Sequence, residues 1–251
     1  MGSARVAAGL GLAVAAVIAL GALLCSRPVL AAATGPDAGA PPGLAQGDET
    51  TGDPLAAGQG NAPSANTDNA ELRVRIGLQA GHWRADEAPA PYNAQLGSSG
   101  GGKTEAEVNL AIAEAAARVL RAVGYTVDIL PTAIPQGYQA DLVVAIHADG
   151  GPSERRGFFV DHSSRQATVA DETRLAKTLT DAYAAVGIPN VYRGTVNSQR
   201  YYGYYSVDAH TPMVLIETGF LTNPLDQQVL IGDPERVGAA IAQGIVTFLG
   251  S

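Results

Sequence analysis

Three short segments end in side chains suited to metal chemistry: Ile76-Gly-Leu-Gln-Ala-Gly-His82, Leu142-Val-Val-Ala-Ile-His147 and Met213-Val-Leu-Ile-Glu217. Each is an apolar run of the kind that forms a buried strand, and each stops on a titratable group. An imidazole or carboxylate is costly in such a place unless something binds it. Two histidines and an acid at the carboxyl ends of core strands therefore suggest a metal-hydrolase site.

A third metal ligand comes from the segment after the first strand. Thr104 caps a helix predicted to run to Val123 and to stop at Gly124. At about 100° per residue, Val108, Ile112, Ala115, Val119 and Val123 share a narrow arc, the buried stripe. Glu105 lies at the edge of that stripe, whereas Glu107, Glu114, Arg118 and Arg121 gather on the solvated side, with Glu114 and Arg118 spaced for an i,i+4 pair. An inward acid in the first turn could simply answer the helix dipole. Beside two inward histidines it reads instead as a metal ligand.

His82, Glu105 and His147 would give a zinc ion two imidazoles and one carboxylate, leaving a position for water. The cation would acidify that water and polarise a carbonyl. Glu217, free of metal, would take the water's proton and pass it to a leaving amine. Thr218-Gly219 is expected to turn the chain there and aim the acid at the pocket. Each residue also has a plainer role: His82 as a turn residue, His147 as a satisfied core histidine, Glu217 as a buried acid paired with Arg193 or Arg200. The remaining histidines, His162 and His210, are expected in loops near the site, with His210 a possible substrate contact.

The elements that must position these groups alternate. Strands are expected over 72–80, 125–130, 141–147, 157–162 and 213–217, and helices over 104–123, 167–186 and 234–249. Such alternation predicts a single α/β domain with a largely parallel twisted sheet covered by helices on both faces. Ligands of open sheets of this kind bind outside the carboxyl ends of the strands, where His82, His147 and Glu217 would all lie. The glycine-rich stretch Gly97-Ser-Ser-Gly-Gly-Gly102 between the first strand and its helix is expected to be mobile or tightly turned.

The chain of 251 residues carries a formal charge of −8 and a sequence pI near 4.9, which argues against a nucleic-acid partner. Its single cysteine, Cys25, leaves only nitrogen and oxygen ligands for a metal. Residues 1–33 have an arginine, a long apolar stretch and Ala31-Ala-Ala33, the arrangement of an export signal or an uncleaved membrane anchor. Residues 34–70, rich in Gly, Pro, Ala and small polar residues, read as a disordered, flexible linker. The ordered domain is expected over 71–251, working outside the cytoplasm, in the periplasm, cell wall or extracellular space.

Four stretches resemble the zinc-dependent N-acetylmuramoyl-L-alanine amidases, the type-3 family of bacterial cell-wall hydrolases. Ile76-Gly-Leu-Gln-Ala-Gly-His82 is similar to the family's opening strand and first zinc histidine. Glu105-Ala-Glu-Val-Asn-Leu-Ala-Ile-Ala113 is similar to the helix whose leading Glu is the second ligand, and Ala140-Asp-Leu-Val-Val-Ala-Ile-His-Ala148 to the strand bearing the third. Pro212-Met-Val-Leu-Ile-Glu-Thr-Gly-Phe-Leu-Thr-Asn223 resembles the segment with the catalytic Glu. The resemblance implies hydrolysis of the amide between N-acetylmuramic acid and L-alanine in peptidoglycan. A zinc peptidase cutting elsewhere in the stem peptide, or a wall-binding protein without turnover, are the alternatives. The chain departs from the family at Trp83-Arg84, where two glycines are usual, and at Asp149, where an Asn is usual. It also has a short 131–139 segment. The tyrosines from Tyr192 to Tyr205 suit either packing on the sheet or recognition of sugar and peptide.

Overall fold

The computed structural model describes residues 73–165, 167–191 and 196–251. The expected export segment, the linker and the candidate ion-pair partner Arg193 lie outside the described residues.

Five strands form one sheet: β1 (Arg75–Ala80), β4 (Thr126–Leu130), β5 (Leu142–Asp149), β6 (Phe159–His162) and β7 (Met213–Phe220). Two further strands, β2 (Ser99–Gly100) and β3 (Lys103–Thr104), make a small antiparallel hairpin. The sheet order is β4-β1-β5-β7-β6, with β4, β1, β5 and β7 parallel and β6 antiparallel to β7. The helices are α1 (Glu105–Val123), α2 (Val169–Tyr183), α3 (Val196–Gln199), α4 (Pro224–Leu230) and α5 (Pro234–Leu249).

Strand alternation divides the core. Ile76 and Leu78 of β1, Val144 and Ile146 of β5, and Val214 and Ile216 of β7 form one cluster with Ile112 of α1, Leu179 of α2 and Ile241 of α5. The two outer helices meet α5 closely. A Cβ at Gly238 would lie 2.5 Å from that of Ala115, and one at Gly244 would lie 2.8 Å from the backbone of Leu179. Val143, Ala145, Met213 and Leu215 point the other way, onto Ile134, Tyr204 and Val207. Both faces are covered, but unequally. Three long helices cover one, while the 131–140 segment and a 3₁₀ turn at Tyr202–Tyr205 cover the other.

α1 starts where its first turn is satisfied twice. Thr104 Oγ1 accepts from the Glu107 backbone N–H, and Glu107 Oε2 accepts from the Thr104 N–H at 2.8 Å, a capping box. Its solvated face differs from expectation in one pair: Arg118 bonds Glu235 of α5, not Glu114. The cross-helix partner joins two elements that already pack together, which an i,i+4 neighbour cannot do.

Candidate active site

The carboxyl edge of the sheet gathers the predicted groups. β1 ends at Ala80, and the Gly81 N–H continues its ladder onto the Ile146 carbonyl at 2.9 Å. His82 follows with φ 62, a left-handed conformation unusual for a non-glycine residue. His82 Nδ1 donates to the Gln95 carbonyl at 2.6 Å. That bond fixes the tautomer and turns Nε2 inward, 3.4 Å from Glu105 Oε1.

Glu105, the first residue of α1, is only 4% exposed. Its Oε2 accepts from the Ser98 N–H at 2.7 Å. Its Oε1 lies 3.1 Å from His147 Nδ1 and accepts from the Ala148 N–H at 3.2 Å. Asn109, one turn on, donates to the Gly81 carbonyl at 3.1 Å and to Glu105 at 3.3 Å, tying the His82 turn to the helix. Burial alone would push the Glu105 carboxyl up. The hydrogen bond and charge of His147, the charge of His82 and the Ser98 N–H outweigh it and hold the pKa at about 2. The acid is therefore ionised at neutral pH. One ligand atom from each of His82, Glu105 and His147 lies within 4.8 Å of the others.

Two glycines make this convergence sterically possible. A Cβ at Gly81 would come within 2.4–2.6 Å of the His147 ring, and one at Gly97, where φ is +75, within 2.7 Å of both Glu105 Oε2 and His82. The glycine-rich stretch is thus tightly turned, and it forms the wall that lets three polar groups meet.

His147 and Glu217 are register partners on neighbouring parallel strands, so alternation sends both to the same face. Here the structure corrects the expected cause. β7 does not stop at Glu217 or turn at Thr218-Gly219 but runs on to Phe220, and β5 runs on to Asp149. Thr218 is buried and donates to the His147 carbonyl at 2.7 Å, which holds the strands together past the site. Pleat, not a turn, aims Glu217. Among the described residues it forms no ion pair, with Arg200 or otherwise, and its buried Oε2 has no hydrogen-bond partner. Burial first, then the charges of Glu105 and Asp149, push its carboxyl well above the usual range.

A cavity of about 680 Å³ opens over these groups, lined by His82, Gln95, His147, Asp149, Glu217, Tyr92, Tyr201 and Tyr202 among others. His162 and His210 are elsewhere. Because β6 is antiparallel, His162 pairs with Val214 near the start of β7, and its Nδ1 is taken by the Ser163 carbonyl at 2.7 Å. His210 precedes β7, is largely exposed and pairs with Asp208 at 3.4 Å. Both sit at the opposite end of β7 from Glu217.

Residue types alone do not single out Gln79, Gln95, Ser98 or Asn109. For Gln79 there is a signal: an amide inside an otherwise apolar strand, fully buried, needs partners. It finds Tyr201, Tyr202 and the Thr132 carbonyl. The tyrosine stretch divides accordingly: Tyr204 packs in the core, Tyr201 and Tyr202 line the cavity, and Tyr205 is exposed.

An α/β sheet with a nitrogen-and-oxygen donor cluster and an acid without a partner among the described residues is an arrangement suited to hydrolysis. The chain belongs to the N-acetylmuramoyl-L-alanine amidase family, which it matches over residues 76–247. It is 27% identical over 118 residues to N-acetylmuramoyl-L-alanine amidase Rv3717 of Mycobacterium tuberculosis, covering 43% of this chain and 48% of that one. The match thus spans about half the length of that curated relative. Its fold is similar to the crystal structure of the N-acetylmuramyl-L-alanine amidase Ami1 from Mycobacterium smegmatis, with TM-score 0.55 and 23% identity over 70% of this chain and 97% of that one. It is also similar to the amidase AmiC2 of Nostoc punctiforme, with TM-score 0.53 and 23% identity over 71% and 98%.

Proposed function

We propose that this protein is a zinc-dependent amidase that hydrolyses the bond between N-acetylmuramic acid and L-alanine in peptidoglycan, acting outside the cytoplasm. The observation that carries the reading is the meeting of His82, Glu105 and His147 at one point beside an acid, Glu217, that has no partner among the described residues. The donor set suits zinc: two imidazoles and an ionised carboxylate, with no thiolate in the described domain. Bound there, zinc would supply Lewis-acid chemistry, polarising the scissile carbonyl and acidifying water.

The side chains supply the rest. Glu217 accepts a proton from the attacking water at its carboxylate and returns it to the nitrogen of L-alanine as the C–N bond breaks. Its raised proton affinity suits the second half of that task, since the carboxyl must hold the proton before giving it up. Gln95 keeps the His82 ring fixed through the hydrogen bond its carbonyl accepts from Nδ1–H. The tyrosines of the cavity wall offer apolar faces with polar tips for a sugar or peptide. The export-like sequence of residues 1–33 supports a location where peptidoglycan is found.

Digestion of purified sacculi, followed by labelling of newly freed α-amines, tests the proposal. Free amino-terminal L-alanine is the expected product. New termini at other stem residues would mark a peptidase instead, and zinc-loaded protein that frees no amines would end the proposal.

A further inference from the structure

The two histidines of the cluster are held in opposite senses. His82 commits Nδ1 to the Gln95 carbonyl and turns Nε2 inward. His147 turns Nδ1 inward, 3.1 Å from Glu105 Oε1, and leaves Nε2 pointing away, 3.2 Å from the Tyr201 hydroxyl. A ring bound through Nδ1 keeps its one proton on Nε2, and a buried N–H needs an acceptor. Tyr201 Oη lies within hydrogen-bond reach of that nitrogen and meets the ring edge-on, with centroids 5.3 Å apart.

A hydroxyl accepts without competing only if its own proton is placed elsewhere. Gln79 Oε1 takes it at 2.9 Å, while Gln79 Nε2, 2.6 Å from the same oxygen, donates to it and leaves a lone pair for His147. The orientation of that amide is fixed in turn, since Gln79 Nε2 donates at 3.1 Å to the Thr132 carbonyl, an atom that can only accept. Gln79 itself is fully buried on β1, opposite Ala145 of the strand that carries His147. The order Thr132 carbonyl, Gln79 amide, Tyr201 hydroxyl, His147 imidazole therefore runs from a fixed backbone group to the ligand ring.

We infer that Tyr201, oriented by Gln79, is a positioning residue that holds the His147 ring as a metal ligand by accepting its Nε2–H. This rests on the reading of His82, Glu105 and His147 as a cation site. The tyrosine touches neither reacting atoms nor metal in this role. Its contribution is to ligand basicity and ring orientation, a kind of support whose loss typically costs about 10–100-fold in metal affinity.

The test uses the full chain and zinc, with affinity read by competition against a chromogenic chelator and ring protons read by ¹H–¹⁵N NMR of the zinc-loaded protein. In the wild type, the His147 Nε2–H is expected as a solvent-protected resonance. Tyr201→Phe should weaken zinc binding by about 10–100-fold and expose that proton to exchange. The His82 Nδ1–H, bonded to Gln95, should stay unchanged and serves as an internal control. Gln79→Leu keeps the tyrosine but removes the acceptor of its proton, and should also weaken zinc binding. It covers the case in which the first variant fails to fold. Tight zinc binding within about twofold of wild type in both variants, with the His147 proton still protected, would overturn the inference while leaving the cation site standing. Wild type that binds zinc no better than a His82→Ala variant would instead sink the site itself, and this inference with it.

Discussion

His147 of β5 and Glu217 of β7 stand directly opposite each other across two parallel strands, one as a candidate metal ligand and the other unpaired among the described residues. The pairing register thereby fixes the relation between His147 and the proposed proton acceptor. A slip of one residue in either strand would send one of the two side chains to the helix-covered face. The relation of His147 to Glu217 is thus set by the sheet, whereas His82 and Glu105 are brought to it by the turns around them.

Glu217→Gln tests that division. The substitution keeps the shape and removes the proposed proton acceptor, so kcat/KM should fall by about 10²–10⁴-fold. Zinc content per chain should stay at the wild-type value, because Glu217 is not one of the three donors. Amidase assays alongside metal analysis give both numbers.

The pH dependence carries a sign. Burial first, then Glu105 and Asp149, raise the Glu217 carboxyl above its ordinary value. The base form must be present to take a proton, so activity falls as pH drops through that raised pKa. Asp149→Asn removes one of the two charges, which should move the acid limb of kcat/KM to lower pH. A limb that stays in place, or moves up, would show that Asp149 does not tune the base. The family resemblance implies Asn at this position, so the variant also asks what the departure does.

Gly81→Ala should disrupt the site with no change of charge. Its Cβ would meet the His147 ring at 2.4–2.6 Å, and that ring is boxed in by Glu105 and Tyr201. A cost of about 1–3 kcal/mol in denaturant unfolding is expected. A drop in zinc affinity should accompany it, since the ring has to move.

Acid stability should report the capping box of α1. The Thr104 N–H first, then Lys103 and the Thr104 hydroxyl, hold Glu107 down at about 2, against an ordinary value of 4.5. A depressed carboxyl contributes stability above its unfolded pKa and loses it as pH falls through the folded one. The unfolding midpoint of wild type should therefore drop more steeply between pH 4.5 and about 2 than that of Glu107→Gln, which keeps the acceptor but cannot titrate.

Much of the site is legible in the residues, for identifiable reasons. An imidazole that closes an apolar run, as His147 does, must be satisfied by a partner, and wheel geometry separates Glu105 from Glu107 because one edges the buried stripe and the other does not. Other features depend on pairings that no local pattern encodes. Thr218-Gly219 reads as a turn that would aim Glu217, whereas strand alternation does the aiming. The antiparallel sense of β6, which takes His162 away from the site, is a property of sheet order. α4 is absent from the predicted helices although Asn223-Pro224 carries its signature: the Asn side chain accepts from the Leu225 and Asp226 N–H groups, with Pro at the first helical position. The ring orientations of His82 and His147 follow from Gln95 and Tyr201, and neither partner is near its histidine in sequence.

The most direct measurement is a crystal structure of the zinc-soaked protein with anomalous data at the zinc edge. A single strong peak is expected, bonded to His82 Nε2, Glu105 and His147 Nδ1, with Glu217 facing it and unbonded. A peak elsewhere, a peak held by Glu217, or imidazole rings turned away from a shared ion would contradict the zinc-amidase reading.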